Sequence, residues 1–403
     1  MMKSPESLKV ELGPLTFENP FILASAPPTA TGPMIRTAFA YGWSGAVTKT
    51  IKPDDIEIRD VSPRFGILRD SRNMPVGFEN IELITRRDVT YWTDEIRKTK
   101  DEYPHKVLIA SLMSDLRPES WRSLSQTLQD AGADALELNF SCPHGMPERG
   151  MGAAIGQHPD LVERITAWVK AVARVPVIVK LTPNTGDIAA AARAARAGGA
   201  DALAAINTVQ CLIGVDIETF DPLPSVRGYS TYGGYSGKAV KPIGLRAVAQ
   251  IAAAADGLPV YGMGGISTWE DAVEYIAVGA GAVQICTAVM LGGYSIILPL
   301  IKGLDAYLRR RGFDSVARFR GAALPRLVAH GDLDRSGPLL AYEAQPERCT
   351  LCQRCILACS DGGSNAITVA DNNLVIDADR CDGCSLCVFV CPCRVLELKE
   401  RTS

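Results

Sequence analysis

The sequence predicts a (β/α)8 (TIM) barrel followed by a small, cysteine-rich α+β domain. Three observations carry this prediction. Eight short apolar runs alternate with helix-like segments, no hairpin signal separates them, and 9 of the 12 cysteines fall between Cys349 and Cys393. The runs are Phe21–Ser25, Gly45–Lys49, Val107–Ser111, Ala135–Asn139, Val177–Lys180, Ala202–Asn207, Pro259–Gly262 and Ala282–Cys286. Between them lie segments rich in Ala, Leu and Arg, such as Leu161–Ala173, Ile188–Ala197 and Gly244–Ala255. Strand and helix alternating without tight turns favour parallel strands, and eight such units close a barrel. An open doubly wound sheet is the alternative, but eight repeats exceed its usual number.

The composition agrees with one large core and an appendage. The chain has 403 residues, 47% of them hydrophobic, and a net charge of −3. That apolar fraction excludes disorder, and the lack of a basic excess argues against nucleic-acid binding. No run of 18 apolar residues occurs and Met1 to Leu8 is polar, so neither a membrane span nor a signal peptide is expected and the chain reads as cytoplasmic. Helix-like Ile296–Arg311 leads to the polar, turn-prone Asp332–Gly337. The barrel is therefore placed at 1–335 and the second domain at 336–403.

The second domain repeats one motif: Cys349-x-x-Cys352-x-x-Cys355-x-x-x-Cys359, then Cys381-x-x-Cys384-x-x-Cys387-x-x-x-Cys391-Pro392, with equivalent cysteines 32 residues apart. Two such runs are the signature of a bacterial-type ferredoxin with two [4Fe–4S] clusters, in which each fourth cysteine ligates the other cluster. Cys349, Cys352, Cys355 and Cys391 are thus expected to hold one cluster, and Cys381, Cys384, Cys387 and Cys359 the other. Structural zinc usually takes two separated pairs, not two triplets each with a fourth thiol. Cys359 is followed by Ser360 in place of the usual proline, and Cys393 is a ninth thiol outside the scheme, read as structural.

Barrel enzymes place their chemistry at the C-terminal ends of the strands. Those ends carry Ser25, Lys49-Thr50, Ser111, Asn139, Lys180, Asn207-Thr208, Gly264-Gly265 and Cys286-Thr287. Two strands ending in lysine suit an anionic or electron-rich cofactor ring. Three glycine loops, at 262–265, 279–281 and 233–237, are read as backbone cradles for a phosphate, which favours FMN. Flavin also joins one-electron clusters to two-electron organic chemistry. No G-x-G-x-x-G site for a nicotinamide follows an early strand, so the electron donor or acceptor is expected on another polypeptide. After the fourth strand, the polar, glycine-rich segment 139–152 reads as a mobile loop over the mouth. Cys142 lies near its hinge and can serve as a proton donor, with His144 next in line.

These residues carry a family resemblance. The segments 46–50 (AVTKT), 80–83 (NIEL), 139–144 (NFSCPH), 180–184 (KLTPN), 206–208 (INT), 235–242 (YSGKAVKP) and 333–336 (LDRS) resemble the FMN barrel of dihydropyrimidine dehydrogenases, related to class 1 dihydroorotate dehydrogenases. With the tail, the chain is similar to the iron–sulfur/FMN subunit of NAD-dependent dihydropyrimidine dehydrogenases. The resemblance implies that Cys142 is the general acid/base on the ring carbon. It implies flavin contacts from Ser25, Lys49, Thr50, Lys180, Gly237, Gly264, Gly265, Cys286 and Thr287, with Asn80, Asn139 and Asn207 beside them. It implies pyrimidine contacts from Asn80, Glu82, Asn139, Ser141, Asn207 and Thr208. The implied reaction is reduction of uracil or thymine to the 5,6-dihydro product. Electrons would pass from a partner flavoprotein carrying FAD and an NAD(P)H site, through both clusters to FMN, then as hydride to C6 while Cys142 protonates C5. An oligomer is expected. The alternatives are dihydroorotate oxidation, against which Glu82 is read as repelling the extra carboxylate, and reduction of another cyclic amide on the same scaffold. Pro147 stands where the family loop has glycine, and residues 214–229 depart from its pattern.

Overall fold

A barrel strand covered by helices on one side and packed side chains on the other has no solvent face, so it reads as a continuous apolar run. In the computed structural model, which describes residues 4–142, 150–337 and 339–401, eight such strands occur. They are β1 (Phe21–Leu23), β2 (Gly45–Val47), β3 (Val107–Leu112), β4 (Ala135–Asn139), β5 (Val177–Lys180), β6 (Ala202–Ala205), β7 (Val260–Met263) and β8 (Ala282–Ile285). Every residue in all eight is buried. They pair in parallel in chain order, and the barrel closes through β8 on β1 with Gln284 opposite Ile22.

The main crossover helices are α1 (Gly32–Tyr41), α2 (Val89–Glu102), α3 (Pro118–Asp130), α4 (Pro159–Lys170), α5 (Ile188–Ala197), α6 (Lys241–Ala254), α7 (Trp269–Ala277) and α8 (Ile297–Arg311). Several start where the sequence offers a cap. Thr31 accepts from the Met34 N–H, Asp187 from Ala190 and Thr268 from Asp271, each satisfying a first-turn donor. One face of each helix is then buried against the strands.

The structure corrects three details of the sequence reading. Hairpins are present. Val10–Leu12 pairs with Leu15–Phe17 ahead of β1, and a four-stranded antiparallel sheet is built from two insertions in the barrel. Its strands run in the order Val209–Cys211, Gly233–Ser236, Pro75–Asn80 and Phe65–Arg69. The turn of its hairpin is made by Asp70, whose carboxylate accepts the N–H groups of Arg72 and Met74. Residues 233–236 are thus a strand, and only Gly237 of that glycine run is a turn, at φ 90°. Third, Gly279–Gly281 precedes β8 and lies at the N-terminal end of the barrel, where a Cβ on Gly281 would collide with the Leu12 side chain. It is a packing glycine, not a cofactor loop.

By packing, the chain divides into Met1–Arg326 and Leu327–Ser403. The division falls ahead of the 335/336 boundary read from sequence because the described residues from Pro325 to Gly337 are all exposed and add nothing to the barrel core. In the second unit, Leu339–Glu343 pairs with Leu396–Glu400 and Ile367–Ala370 with Asn373–Ile376, both antiparallel. Helices Arg354–Asp361 and Leu386–Val390 each begin one residue before the third cysteine of a triplet, so Cys355 and Cys387 sit in their first turns. Among the described residues, no helix is long and apolar enough to cross a membrane.

Candidate active site

The strand ends of the barrel open into a cleft of about 1310 Å³, counting its open mouth. Hydroxyl and amide groups knit its floor together. Thr50 Oγ1 is 3.1 Å from Ser25 Oγ and 2.9 Å from Ser111 Oγ, and it accepts from Asn139 Nδ2 at 2.9 Å. Asn139 Oδ1 in turn accepts from the N–H and O–H of Ser141. Asn207 Nδ2 donates to Ser141 Oγ at 2.9 Å, and Asn207 Oδ1 accepts the N–H of Thr208. Ser141 is fully buried behind these asparagines and braces them without lining the cleft.

Both lysines expected from the strand ends line the cleft, and neither presents a bare charge. Lys49 Nζ is 2.6 Å from Glu82 Oε2, and Glu82 Oε1 is 3.4 Å from Arg64 Nε. Lys180 Nζ is 3.5 Å from Glu137 Oε1. Cys286 sits close enough to feel both lysines. Burial nonetheless dominates and pushes its thiol up to about 11. On the far side, Gly264 and Gly265 turn at φ 124° and 75°, next to Gly237 and Thr287. A Cβ on Gly265 would fall 2.8 Å from Lys241 N and 2.9 Å from Gly237 O, so only glycine lets these backbones converge.

The sheet from the two insertions supplies the remaining wall. Asn80 sits opposite Gly234 in the register and its Nδ2 donates to Gly234 O at 3.2 Å. Next to it, buried Glu79 holds three donors of the other insertion: the Cys211 thiol and the N–H groups of Ile213 and Gly233. Burial raises the Glu79 carboxyl above its ordinary value, these three hydrogen bonds opposing it. Cys211 is pushed up to about 12, mainly by burial and then by the Glu79 carboxylate.

Cys142 lines the same cleft as Asn80, Asn207, Thr208 and the lysines. It packs with Ile56, Ile58, Ile84, Met113 and Met151, and its carbonyl accepts the Ala153 N–H at 3.0 Å. Of the loop expected over the mouth at 139–152, residues 143–149, with His144 and Pro147, lie outside the described residues. Two residues that the strand-end reading missed also belong here. Gln284, which lines the cleft, and Glu137, buried behind it, are polar side chains one or two residues inside barrel strands, and that interruption is the available signal.

In the second unit, Cys349, Cys352, Cys355 and Cys391 surround one small cleft, together with Cys393. Cys387 lies within electrostatic reach of Cys381, Cys384 and Cys359. The backbone repeats with the motif. Leu351 and Gln353 of the first loop and Gly383 and Ser385 of the second all have positive φ, the kind of backbone alternation that suits binding of an anionic group. The two fourth cysteines are treated alike, Cys359 Sγ accepting the Ala366 N–H at 3.2 Å and Cys391 Sγ the Val395 N–H at 3.4 Å. N–H donors to sulfur suit cluster thiolates, whose potential they tune. Among the described residues no group of three His, Cys, Asp or Glu side chains is arranged for a single metal ion.

Comparison with known proteins gives the same division. Residues 7–308 match the dihydroorotate dehydrogenase family and residues 343–398 the 4Fe-4S dicluster domain. The chain is 39% identical over 403 residues to the Escherichia coli NAD-dependent dihydropyrimidine dehydrogenase subunit PreA, covering 98% of this chain and 96% of that one. It is 40% identical to the chloroplastic dihydropyrimidine dehydrogenase (NADP(+)) of Arabidopsis thaliana, covering 82% and 80%. It is also 40% identical to the catalytic subunit of dihydroorotate dehydrogenase B (NAD(+)) of Pyrococcus furiosus, covering 79% and 99%. The crystal structure of dihydroorotate dehydrogenase from Eimeria tenella shares the fold, with a TM-score of 0.67, 20% identity and coverage of 80% and 89%.

The barrel residues fit the family's FMN. Gln284 Nε2 is committed to Glu137 Oε2, which leaves Gln284 Oε1 as a buried acceptor with no partner in a residue that lines the cleft. An isoalloxazine imide N–H is a donor of the kind it lacks, and the Gly264–Gly265 turn admits the close backbone approach that a phosphate needs. The cofactors are FMN in the barrel and two [4Fe–4S] clusters in the tail. The chain belongs to the dihydroorotate dehydrogenase family, as an iron–sulfur flavoprotein oxidoreductase that joins the FMN barrel to a 4Fe-4S dicluster domain.

Proposed function

We propose that the chain is the pyrimidine-reducing subunit of a cytoplasmic dihydropyrimidine dehydrogenase, saturating the 5,6 double bond of uracil or thymine. One observation carries the reading. A thiol, Cys142, shares a cleft with the amides of Asn80 and Asn207, the Thr208 hydroxyl and the two lysines. The near full-length similarity to the subunit so named in Escherichia coli supports it.

Lys49, Lys180, Gln284 and the Gly264–Gly265 turn would hold FMN, which when bound supplies a hydride to C6 and accepts electrons singly from the clusters. Asn80 and Asn207 meet the alternating N–H and C=O of an imide edge, because an asparagine amide offers both donors and an acceptor, whereas Asn139, whose Oδ1 already accepts two Ser141 donors, can add only an N–H. An alkene lacking that edge leaves a buried amide unpaired, at a cost of about 1–3 kcal/mol. Cys142 delivers the proton to C5, where negative charge develops next to the carbonyl. The thiol does this from an apolar packing of Ile and Met side chains at the edge of the cleft. Cys349, Cys352, Cys355 and Cys391 hold one cluster, and Cys381, Cys384, Cys387 and Cys359 the other. Electrons enter from a partner flavoprotein with FAD and an NAD(P)H site, the holoenzyme being an oligomer.

Dihydroorotate oxidation is the second reading, and one observation favours it. Glu82 is met by Lys49 and Arg64, so its charge alone does not repel a substrate carboxylate. An anaerobic assay with reduced viologen against uracil, thymine, orotate and a panel of cyclic amides separates the readings. Uracil or thymine turnover is expected, with NADH-linked turnover only after the flavoprotein is added. Turnover of orotate alone would replace the first reading by the second.

A further inference from the structure

Barrel interiors are normally filled by branched apolar side chains. Here Glu137 of β4 and Gln284 of β8 meet across the interior, Glu137 fully buried and Gln284 buried except where it borders the cleft. Glu137 Oε2 accepts from Gln284 Nε2 at 2.8 Å. Its Oε1 has no hydrogen-bond partner and lies 3.5 Å from the Lys180 ammonium, which is buried at the edge of the cleft. A dehydrated carboxylate is expensive, and an apolar replacement of similar volume is often as stable or more so. Packing therefore gives no reason for a carboxylate at position 137. Its two neighbours give one, because both line the cleft. The carboxylate orients the Gln284 amide so that an acceptor is left for the ligand. It also cancels most of the field that Lys180 would otherwise project into a site of low dielectric constant.

We propose that Glu137 is a positioning residue that sets the reduction potential of the bound flavin by counterbalancing Lys180. The inference rests on the flavin reading of the cleft and not on the identity of the substrate. Reduced flavin carries more negative charge than oxidised flavin, so a Lys180 ammonium without its counterweight favours the reduced form. A neutral Lys180 position beside an intact Glu137 favours the oxidised form.

The test is a dye-equilibrium titration of the flavin in the holoenzyme, with flavin content and Tm measured alongside. Glu137→Gln should shift the reduction equilibrium at least tenfold toward reduced flavin, which is about 30 mV upward for a two-electron couple. Glu137→Asp keeps the charge and should stay within threefold of the wild type. Lys180→Met should move the equilibrium tenfold or more the other way. The double variant Glu137→Gln/Lys180→Met contains no unpaired buried charge, and its potential should lie between those of the single variants. If the double variant has the same potential as Lys180→Met, Glu137 exerts no control and the inference is overturned, whether or not Glu137→Gln alone folds. A wild-type protein that holds no flavin would instead overturn the reading of the cleft on which the inference stands.

Discussion

In Cys142→Ala, one sulfur leaves a side chain that is 8% exposed and packed among Ile56, Ile58, Ile84, Met113 and Met151. That loss resembles deleting a buried methylene with a small void, about 1 kcal/mol. In a chain of this length it lowers Tm by no more than about 2–4 °C. The bond from Ala153 N–H to the residue 142 carbonyl is a backbone contact and survives. Stability, flavin content and iron content should therefore be nearly unchanged, and uracil should still bind within threefold. The rate should not survive, because a positioned general acid contributes roughly 10²–10⁴-fold. Stopped-flow reduction of uracil by the viologen-reduced holoenzyme measures it directly. Cys142→Ser should retain some activity, rising with pH in the oxidative direction, since a hydroxyl is a poorer acid and base than a thiol. An alanine variant that turns over within tenfold of the wild type, with cofactors intact, would show the thiol to be a spectator.

Three further outcomes follow from the geometry. Gly265→Ala puts a Cβ against the backbone of Lys241 and Gly237 at a positive φ, which costs about 1–3 kcal/mol of strain or a moved turn. Flavin content of the purified variant should drop at least tenfold, and full occupancy would remove that turn from the cofactor site. Cys391→Ser should degrade the cluster of the Cys349 triplet and spare the other, leaving about four of eight irons. EPR that shows the Cys381-side cluster lost instead would reverse the pairing. Cys211, held near 12 by burial and the Glu79 carboxylate, stays a neutral thiol well above neutral pH. Iodoacetamide at pH 9 should therefore label it slowly. Glu79→Gln removes the charge and should speed labelling by tenfold or more, and an unchanged rate in peptide mapping would leave burial as the whole cause.

The barrel was legible because its strands are buried on both faces and therefore unbroken in the sequence. The inserted sheet was not. Its strand 233–236 reads Gly-Gly-Tyr-Ser, with no alternation, and it forms because distant backbone groups pair across Tyr235 and Glu79. Glycine content marked Gly264–Gly265 and Gly279–Gly281 alike, and composition cannot say at which end of a strand a glycine stands. Strand ends point to Lys49, Asn139, Lys180 and Cys286, and all four line the cleft. The same rule passed over Glu137 and Gln284, which sit one or two residues inside their strands. The charge state of the cleft was also hidden. Lys49 and Lys180 announce themselves, whereas their counter-charges come from Glu82, on an insertion, and Glu137, on a neighbouring strand.

The inserted sheet bears on how such a scaffold could be redesigned. Its strands come from residues 65–80 and 209–236, and Glu79 of the first segment ties down Ile213 and Gly233 of the second. Transplanting either segment alone from a relative with a different substrate would strand a carboxylate or its donors and break the ceiling of the cleft. Transplanting both as a matched pair leaves the eight barrel strands and their lysines untouched. This wall of the cleft is therefore a two-part cassette, and it has to be exchanged as one.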